Sequence, residues 1–294
     1  APIIPNDEFD GKSGAGPYGD FVYETDDACG RILKALEQSG QADNTMVIFT
    51  ADNGPEGYAY KRDETFDHWS AEPFRGLKRD IYEGGHHVPF IIKWEGVTKA
   101  GSTCNKLVSQ IDFMATVAST LGYELPDNAA EDSHDLLPLL QGKKANPRKI
   151  HVHNTRESSW AIRVGEWNLI VGKTGYHSRV QKSWEEKRNY PADDDDSVEL
   201  YHYAKDISQR NNLAKKFPKK VAELQKELKN ARERGFTAPP GWSVLNSPTP
   251  VSRLAHLSLG VRPTVPRSDA IVGLCEFWNL TQRSKGLSPR RVFG

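Results

Sequence analysis

Apolar positions change their spacing several times along the chain, and each change marks an element. Phe21, Val22, Cys29, Ile32, Leu33 and Leu36 recur at helical intervals and Gly40 follows as a stop, which predicts a helix from about 18 to 38. Residues 45–50 then form an apolar, β-rich run too short for a helix. It closes on the loop formers Ala51-Asp52-Asn53-Gly54-Pro55, so it reads as a buried strand delivering a loop. After a polar stretch rich in glycine and aromatic residues, 88–94 predicts a second strand, and 107–121 returns to helical spacing ended by Gly122. Strands alternating with helices predict an α/β class, with a partial central sheet flanked by helices.

Beyond Pro147 the period shortens. Segments 150–153, 160–164, 167–171 and 198–203 read as strands, with Gly165-Glu166 at a hairpin turn. Val221, Leu224, Leu228 and Ala231 place apolar side chains on one face of a Lys/Glu-rich helix expected to cross that sheet. The expected organisation is therefore an α/β segment at 1–146, a small antiparallel α+β subdomain at 147–238, and a tail at 239–294. The tail carries seven prolines and seven basic residues against two acidic ones without sustained periodicity, and disorder is expected there.

Composition narrows the functional classes more than it selects one. The 39 basic side chains balance 39 acidic ones, so no net field draws nucleic acid or an anionic membrane surface. The three cysteines, Cys29, Cys104 and Cys275, lie far apart and suggest neither a disulfide framework nor a thiolate zinc site. No apolar run approaches the roughly 18 residues of a transmembrane segment, and no charged-then-apolar leader stands at the start. The chain opens on Ala1 and its only methionines are Met46 and Met114, so the expectation is that a longer product begins upstream.

Two stretches carry candidate chemistry. Asp52 and Asn53 offer a carboxylate and an amide oxygen at the carboxyl end of a predicted buried strand, where open α/β sheets place their sites. Such hard donors suit Ca²⁺ or Mg²⁺ better than zinc, although Asp-Asn-Gly is equally a common turn sequence. The stretch from Arg75 to Pro89 sets basic groups and glycines just before the second strand; it is an oxyanion cradle or a solvated basic loop. His86 and His87 are adjacent, so their side chains diverge in extended backbone and one of them at most faces a ligand, His86 being the candidate taken. His151 and His153 share a strand face, either packed or turned toward a substrate entrance. The acidic run 193–196 lacks the spacing of a calcium loop and reads as solvated. Asn279-Leu280-Thr281 is a glycosylation acceptor only in a secreted eukaryotic chain. Tyr176, Trp184 and Tyr190 anchor a loop or contact a sugar or aryl group.

Several ordered stretches carry a resemblance. They are Gly11-Lys12-Ser13-Gly14 with Gly16-Pro17-Tyr18; Gly30-Arg31-Ile32-Leu33; Phe49-Thr50-Ala51-Asp52-Asn53-Gly54-Pro55-Glu56; and Arg75-Gly76-Leu77-Lys78-Arg79-Asp80-Ile81-Tyr82-Glu83-Gly84-Gly85. Asp112-Phe113-Met114-Ala115-Thr116, Leu136-Leu137-Pro138-Leu139-Leu140, Ala161-Ile162-Arg163 with Trp167, and Glu199-Leu200-Tyr201 with Asn211-Asn212-Leu213-Ala214 continue the series. Over about residues 1–238 the chain resembles the type I sulfatases of the alkaline-phosphatase-like superfamily.

The resemblance implies that Asp52 and Asn53 are ligands of a divalent cation, Ca²⁺ with Mg²⁺ as the alternative, and that Lys78 contacts a sulfate oxygen. It implies a small-molecule or glycan sulfate ester as substrate, and a periplasmic or secreted location. It also implies a formylglycine nucleophile, yet its Cys/Ser-x-Pro-x-Arg precursor motif does not occur in this sequence. The chain is thus expected to begin inside a sulfatase domain, to lack the N-terminal part of that domain and to be inactive alone. The rival expectations are a truncated, inactive sulfatase-like product and a phosphodiesterase or phosphonate hydrolase of the same superfamily.

Overall fold

The computed structural model describes residues 3–126, 129–156, 159–172, 175–190 and 197–238. The acidic run 193–196, the tail 239–294 and Asn279 lie outside them. The first helix, α1, spans Gly16–Gln38 and begins with Pro17 in its first turn, where the missing proline N–H has no partner to lose. Only Gly19 and Asp20 of α1 are buried, and Asp20 accepts the backbone N–H groups of Gly11 (3.1 Å) and Ser13 (2.7 Å).

Strand β1, Met46–Thr50, pairs antiparallel with β2, Phe90–Trp94, with Thr50 opposite Phe90. The end of β1 and the start of β2 therefore share one edge of this two-stranded sheet. Between them lies α2, Tyr58–Phe66, a helix that hydrophobic spacing does not predict. It is held by tertiary contacts: buried Asp63 accepts Trp184 Nε1–H at 2.9 Å and the guanidinium of Arg188. The helix expected over 107–121 is shorter. A capping box between Ser109 and Asp112 ends the extended chain, a single tight turn follows, and α3 runs Phe113–Leu121 to Gly122 at φ 65°. A four-residue helix, α4, spans Leu137–Leu140.

Four antiparallel strands follow: β3 (Ile150–Arg156), β4 (Ser159–Val164), β5 (Trp167–Val171) and β6 (Val198–His202), in the order β3-β4-β5-β6. Val164 faces Trp167 across the expected turn, where Gly165 takes φ 58°. Helix α5, Lys182–Arg188, precedes β6 and α6, Pro218–Arg234, follows it.

Both faces of this sheet are covered. Ile162, Leu169 and Leu200 meet Leu224 and Leu228 of α6 on one side. On the other, Ala161, Ile170, Tyr201 and Tyr203 meet Ile81, Tyr82 and Tyr176. A third cluster gathers Tyr60, Trp69, Leu77, Trp184 and Tyr190. Tyr176, Trp184 and Tyr190 are thus buried anchors, and they fix the segment around residues 75–85.

Candidate functional site

Two loops meet at the β1 carboxyl end. One is 51–57, carrying Asp52 and Asn53; the other is 75–87, carrying Lys78 and His86. The N–H of Gly54 donates to Gly85 O at 2.9 Å, and the N–H of Lys78 donates to Pro55 O at 3.0 Å. This approach requires glycine: a Cβ on Gly54 would stand 1.8 Å from Gly84 O, and one on Gly84 would stand 2.2 Å from Gly76 O. Backbone packing explains why glycine sits at both positions without any ligand being invoked.

Asp52 is exposed and Asn53 half-buried. No hydrogen bond or ion pair within the described residues engages the Asp52 carboxylate, whereas Asn53 Nδ2 donates to Gly54 O at 3.0 Å, leaving its Oδ1 as the unused acceptor. Two hard oxygen donors on one loop fit a Ca²⁺ or Mg²⁺ ion by type. They fall short of the roughly 6 to 8 oxygens Ca²⁺ takes, and among the described residues no cluster of three or more His, Cys, Asp or Glu side chains is arranged around an ion.

Lys78 Nζ lies 3.2 Å from Glu56 Oε1, and Arg79 forks onto both Glu56 oxygens at 2.9 and 2.8 Å. The Arg79 hydrogen bonds hold the Glu56 carboxyl down to about 2. Arg79 itself takes φ 81°, a left-handed conformation unusual outside glycine, and is pinned by Thr155 Oγ1 donating to its carbonyl. Beneath it, buried Asp80 accepts Leu77 N–H (2.8 Å), Ser178 Oγ–H (2.6 Å) and the N–H groups of His177 (2.8 Å) and Ser178 (2.7 Å).

The loop's base is a buried cation. Arg75 donates to Tyr176 OH (2.8 Å), Tyr201 OH (3.3 Å) and Gln209 O (3.2 Å), with Tyr82 beneath its guanidinium at 4.2 Å. The hydroxyls of Tyr82 and Tyr201 donate in turn to Glu199 Oε2 at 2.8 and 2.5 Å. Arginine and carboxylate are therefore joined through tyrosine hydroxyls, tying the loop to β6.

His86 turns inward. Its ring lies 4.0 Å from that of His153, which stacks on His151 at 5.3 Å, and Glu83 sits 3.5 Å from His86 Nε2. Burial pushes His151 down to about 4 and His153 well below its ordinary value. His87 is the exposed member of the adjacent pair, bound to Glu83 through Nδ1 at 2.5 Å. The sequence alone discloses neither the Glu56 contacts nor the Glu83–His87 contact; the spacing Glu-x-x-x-His, with two glycines inside it, is the one available sign.

The fold, an α/β layer backed by a small antiparallel sheet, is that of the alkaline-phosphatase-like class. The sulfatase family profile matches residues 5–123. An N-acetylgalactosamine-6-O-sulfatase of Bacteroides thetaiotaomicron is 34% identical over 79% of this chain and 45% of its own length. Human arylsulfatase A is 37% identical over 50% of this chain and 28% of its own. A solved structure described with the metabolism of multiple glycosaminoglycans by Bacteroides thetaiotaomicron superposes with a TM-score of 0.65 at 32% identity, over 79% of this chain and 48% of that one. These matches support a member of the sulfatase family, and the chain spans less than half the length of these relatives.

Proposed function

We propose that this chain supplies one side of the active site, and the C-terminal part, of a metal-dependent sulfuric ester hydrolase acting on a glycan or small-molecule sulfate ester. Asp52 and Asn53 hold the cation, Ca²⁺ before Mg²⁺, and Lys78 binds a sulfate oxygen. The cation, when bound, withdraws charge from the sulfuryl oxygens. Lys78 adds a second positive centre, already oriented by the loop and by Glu56, so little reorganisation is needed as charge develops. The observation that carries this reading is the pair of backbone bonds, Gly54 to Gly85 and Lys78 to Pro55, which press the oxygen donors and the lysine loop together. The N-acetylgalactosamine-6-O-sulfatase relative supports a sulfated sugar as substrate. The expected location is periplasmic or secreted, as the family resemblance implies.

Titration calorimetry with Ca²⁺ and with inorganic sulfate tests the assignment on the chain itself. Because two protein ligands are few, Ca²⁺ is expected to bind at about millimolar strength. Asp52→Ala abolishes that heat, and Lys78→Ala abolishes the sulfate heat while sparing Ca²⁺. Unchanged isotherms in both variants would falsify the assignment. No turnover of an aryl sulfate is expected from this chain alone, because the formylglycine precursor motif is not in it.

A further inference from the structure

Glu56 and Arg79 stand beside Lys78 on two different loops, and their contacts divide one carboxylate among several donors. Glu56 Oε1 lies 3.2 Å from Lys78 Nζ and 2.8 Å from one terminal nitrogen of Arg79. Glu56 Oε2 accepts the other terminal nitrogen of Arg79 at 2.9 Å and the N–H of Gly57 at 3.2 Å. An ionised carboxylate offers about four lone-pair sites, and these donors fill them. The fork comes from a fixed backbone, because Arg79 sits at φ 81° with Thr155 Oγ1 on its carbonyl.

The charges do not balance within this group. One carboxylate faces an ammonium and a guanidinium, so the three side chains together keep one positive charge in excess. Arginine meets a carboxylate with two parallel bonds and lysine meets it as a point charge, so Arg79 is the stronger partner of Glu56. Its hydrogen bonds are the largest cause of the low Glu56 value, about 2. Lys78 turns one of its three hydrogens toward Glu56, and no other group among the described residues engages it. Two hydrogens remain for an anion. Were Arg79 absent, Glu56 and Lys78 would form a neutral pair, and an anion arriving at the ammonium would meet the carboxylate's charge as well. The Glu56, Lys78 and Arg79 side chains are 40, 36 and 50% exposed, where an isolated ion pair contributes little; the forked, three-membered geometry is what gives this one weight.

We propose that Arg79 is a positioning residue that acts on Lys78 through Glu56: its fork takes up the carboxylate, so that Glu56 fixes the direction of the Lys78 ammonium without cancelling its charge toward the sulfate group. Arg79 does not itself touch the ester. This inference rests on the sulfate-ester reading given above.

A double-mutant cycle, read by calorimetric titration of the whole chain with inorganic sulfate at fixed ionic strength, tests the link. Arg79→Asn removes the fork and suits the left-handed backbone, and Glu56→Gln removes the negative charge while keeping an oxygen for Lys78. Arg79→Asn alone leaves Glu56 to Lys78 and is expected to weaken sulfate binding about fivefold, the upper range for an exposed pair. Adding Glu56→Gln restores the single excess positive charge, and the affinity is expected to return to within about twofold of the wild type. Arg79→Gln gives the same reading if the asparagine variant does not fold. An unchanged affinity in the single variant means that solvent screens the group, and a loss that persists in the double variant means that Arg79 meets the anion directly. Either result overturns the inference and leaves the sulfate-ester reading standing. Sulfate heat that survives Lys78→Ala overturns that reading, whatever the cycle gives.

Discussion

Gly54 has no room for one carbon atom. With Gly84 O only 1.8 Å from where a Cβ would stand, Gly54→Ala must push apart the two loops that carry Asp52 and Lys78. Overpacking of this kind costs about 1–3 kcal/mol, and here the opposing atom is backbone and cannot rotate away. The expected outcome is a lower melting temperature together with loss of the Ca²⁺ and sulfate heats; a variant that melts and binds like the wild type would refute the role given to the glycine junction. Arg79 offers a second test at this scale. Its left-handed backbone suits glycine better, so Arg79→Gly relieves strain of about 1 kcal/mol but deletes the fork onto Glu56. Stability measured by urea denaturation is expected to change little, while sulfate affinity changes because Glu56 is left to Lys78 alone.

At the scale of elements, the antiparallel sheet is the load carrier beneath the lysine loop, because that loop forms part of its packing. Leu224 of α6 is 1% exposed, so Leu224→Ala should cost about 2–5 kcal/mol in denaturant unfolding. Acid should act on the opposite face. Burial pushes His151 down to about 4 from an ordinary 6.5, and pushes His153 well below its ordinary value. The unfolded chain therefore binds more protons through that interval, and the stability these rings contribute is complete above about pH 6.5 and lost as pH falls toward 4. Glu83, held below its ordinary value, adds a loss that begins lower, below about pH 4.5. A melting temperature that stays flat from about pH 7 to pH 4 would contradict this account, and His151→Gln should flatten the slope.

The same elements show how much the chain's pattern discloses. Spacing of apolar residues places α1, β1, β2, the four strands and α6, because each of these presents a periodic face. It does not disclose α2 and α5, whose apolar positions are too few; they are fixed by Asp63 reaching Trp184 and Arg188 more than a hundred residues away. Asp52, Asn53 and Lys78 are legible as local motifs joined by a family resemblance. Glu56 and His87 are not, since their meaning comes from side chains that meet only after the loops close. The alternation of His151 and His153 correctly puts both on one face, but their stack against His86 depends on where the 75–87 loop lands.

At the scale of the whole molecule, two helices carry apolar side chains that the described residues leave exposed. Helix α1 leaves Phe21 43% and Ile32 60% exposed, and α3 leaves Met114 52% and Leu121 73% exposed, in stripes along each helix. Apolar faces of this kind drive association in water. Sedimentation equilibrium of the isolated chain is expected to show mass rising with concentration, and Ile32→Glu with Leu121→Lys to suppress the rise; a monomer at all concentrations would refute this.

The paired backbone bonds at Gly54 and Lys78 have an effect beyond holding two loops. Because the two loops are bonded to each other, the proposed assignment predicts that a cation settled on Asp52 and Asn53 changes the free energy with which Lys78 receives an anion. The reverse change is then equal in size, because the coupling of two binding equilibria is symmetric. Sulfate should raise the affinity for Ca²⁺ by the same factor that Ca²⁺ raises the affinity for sulfate.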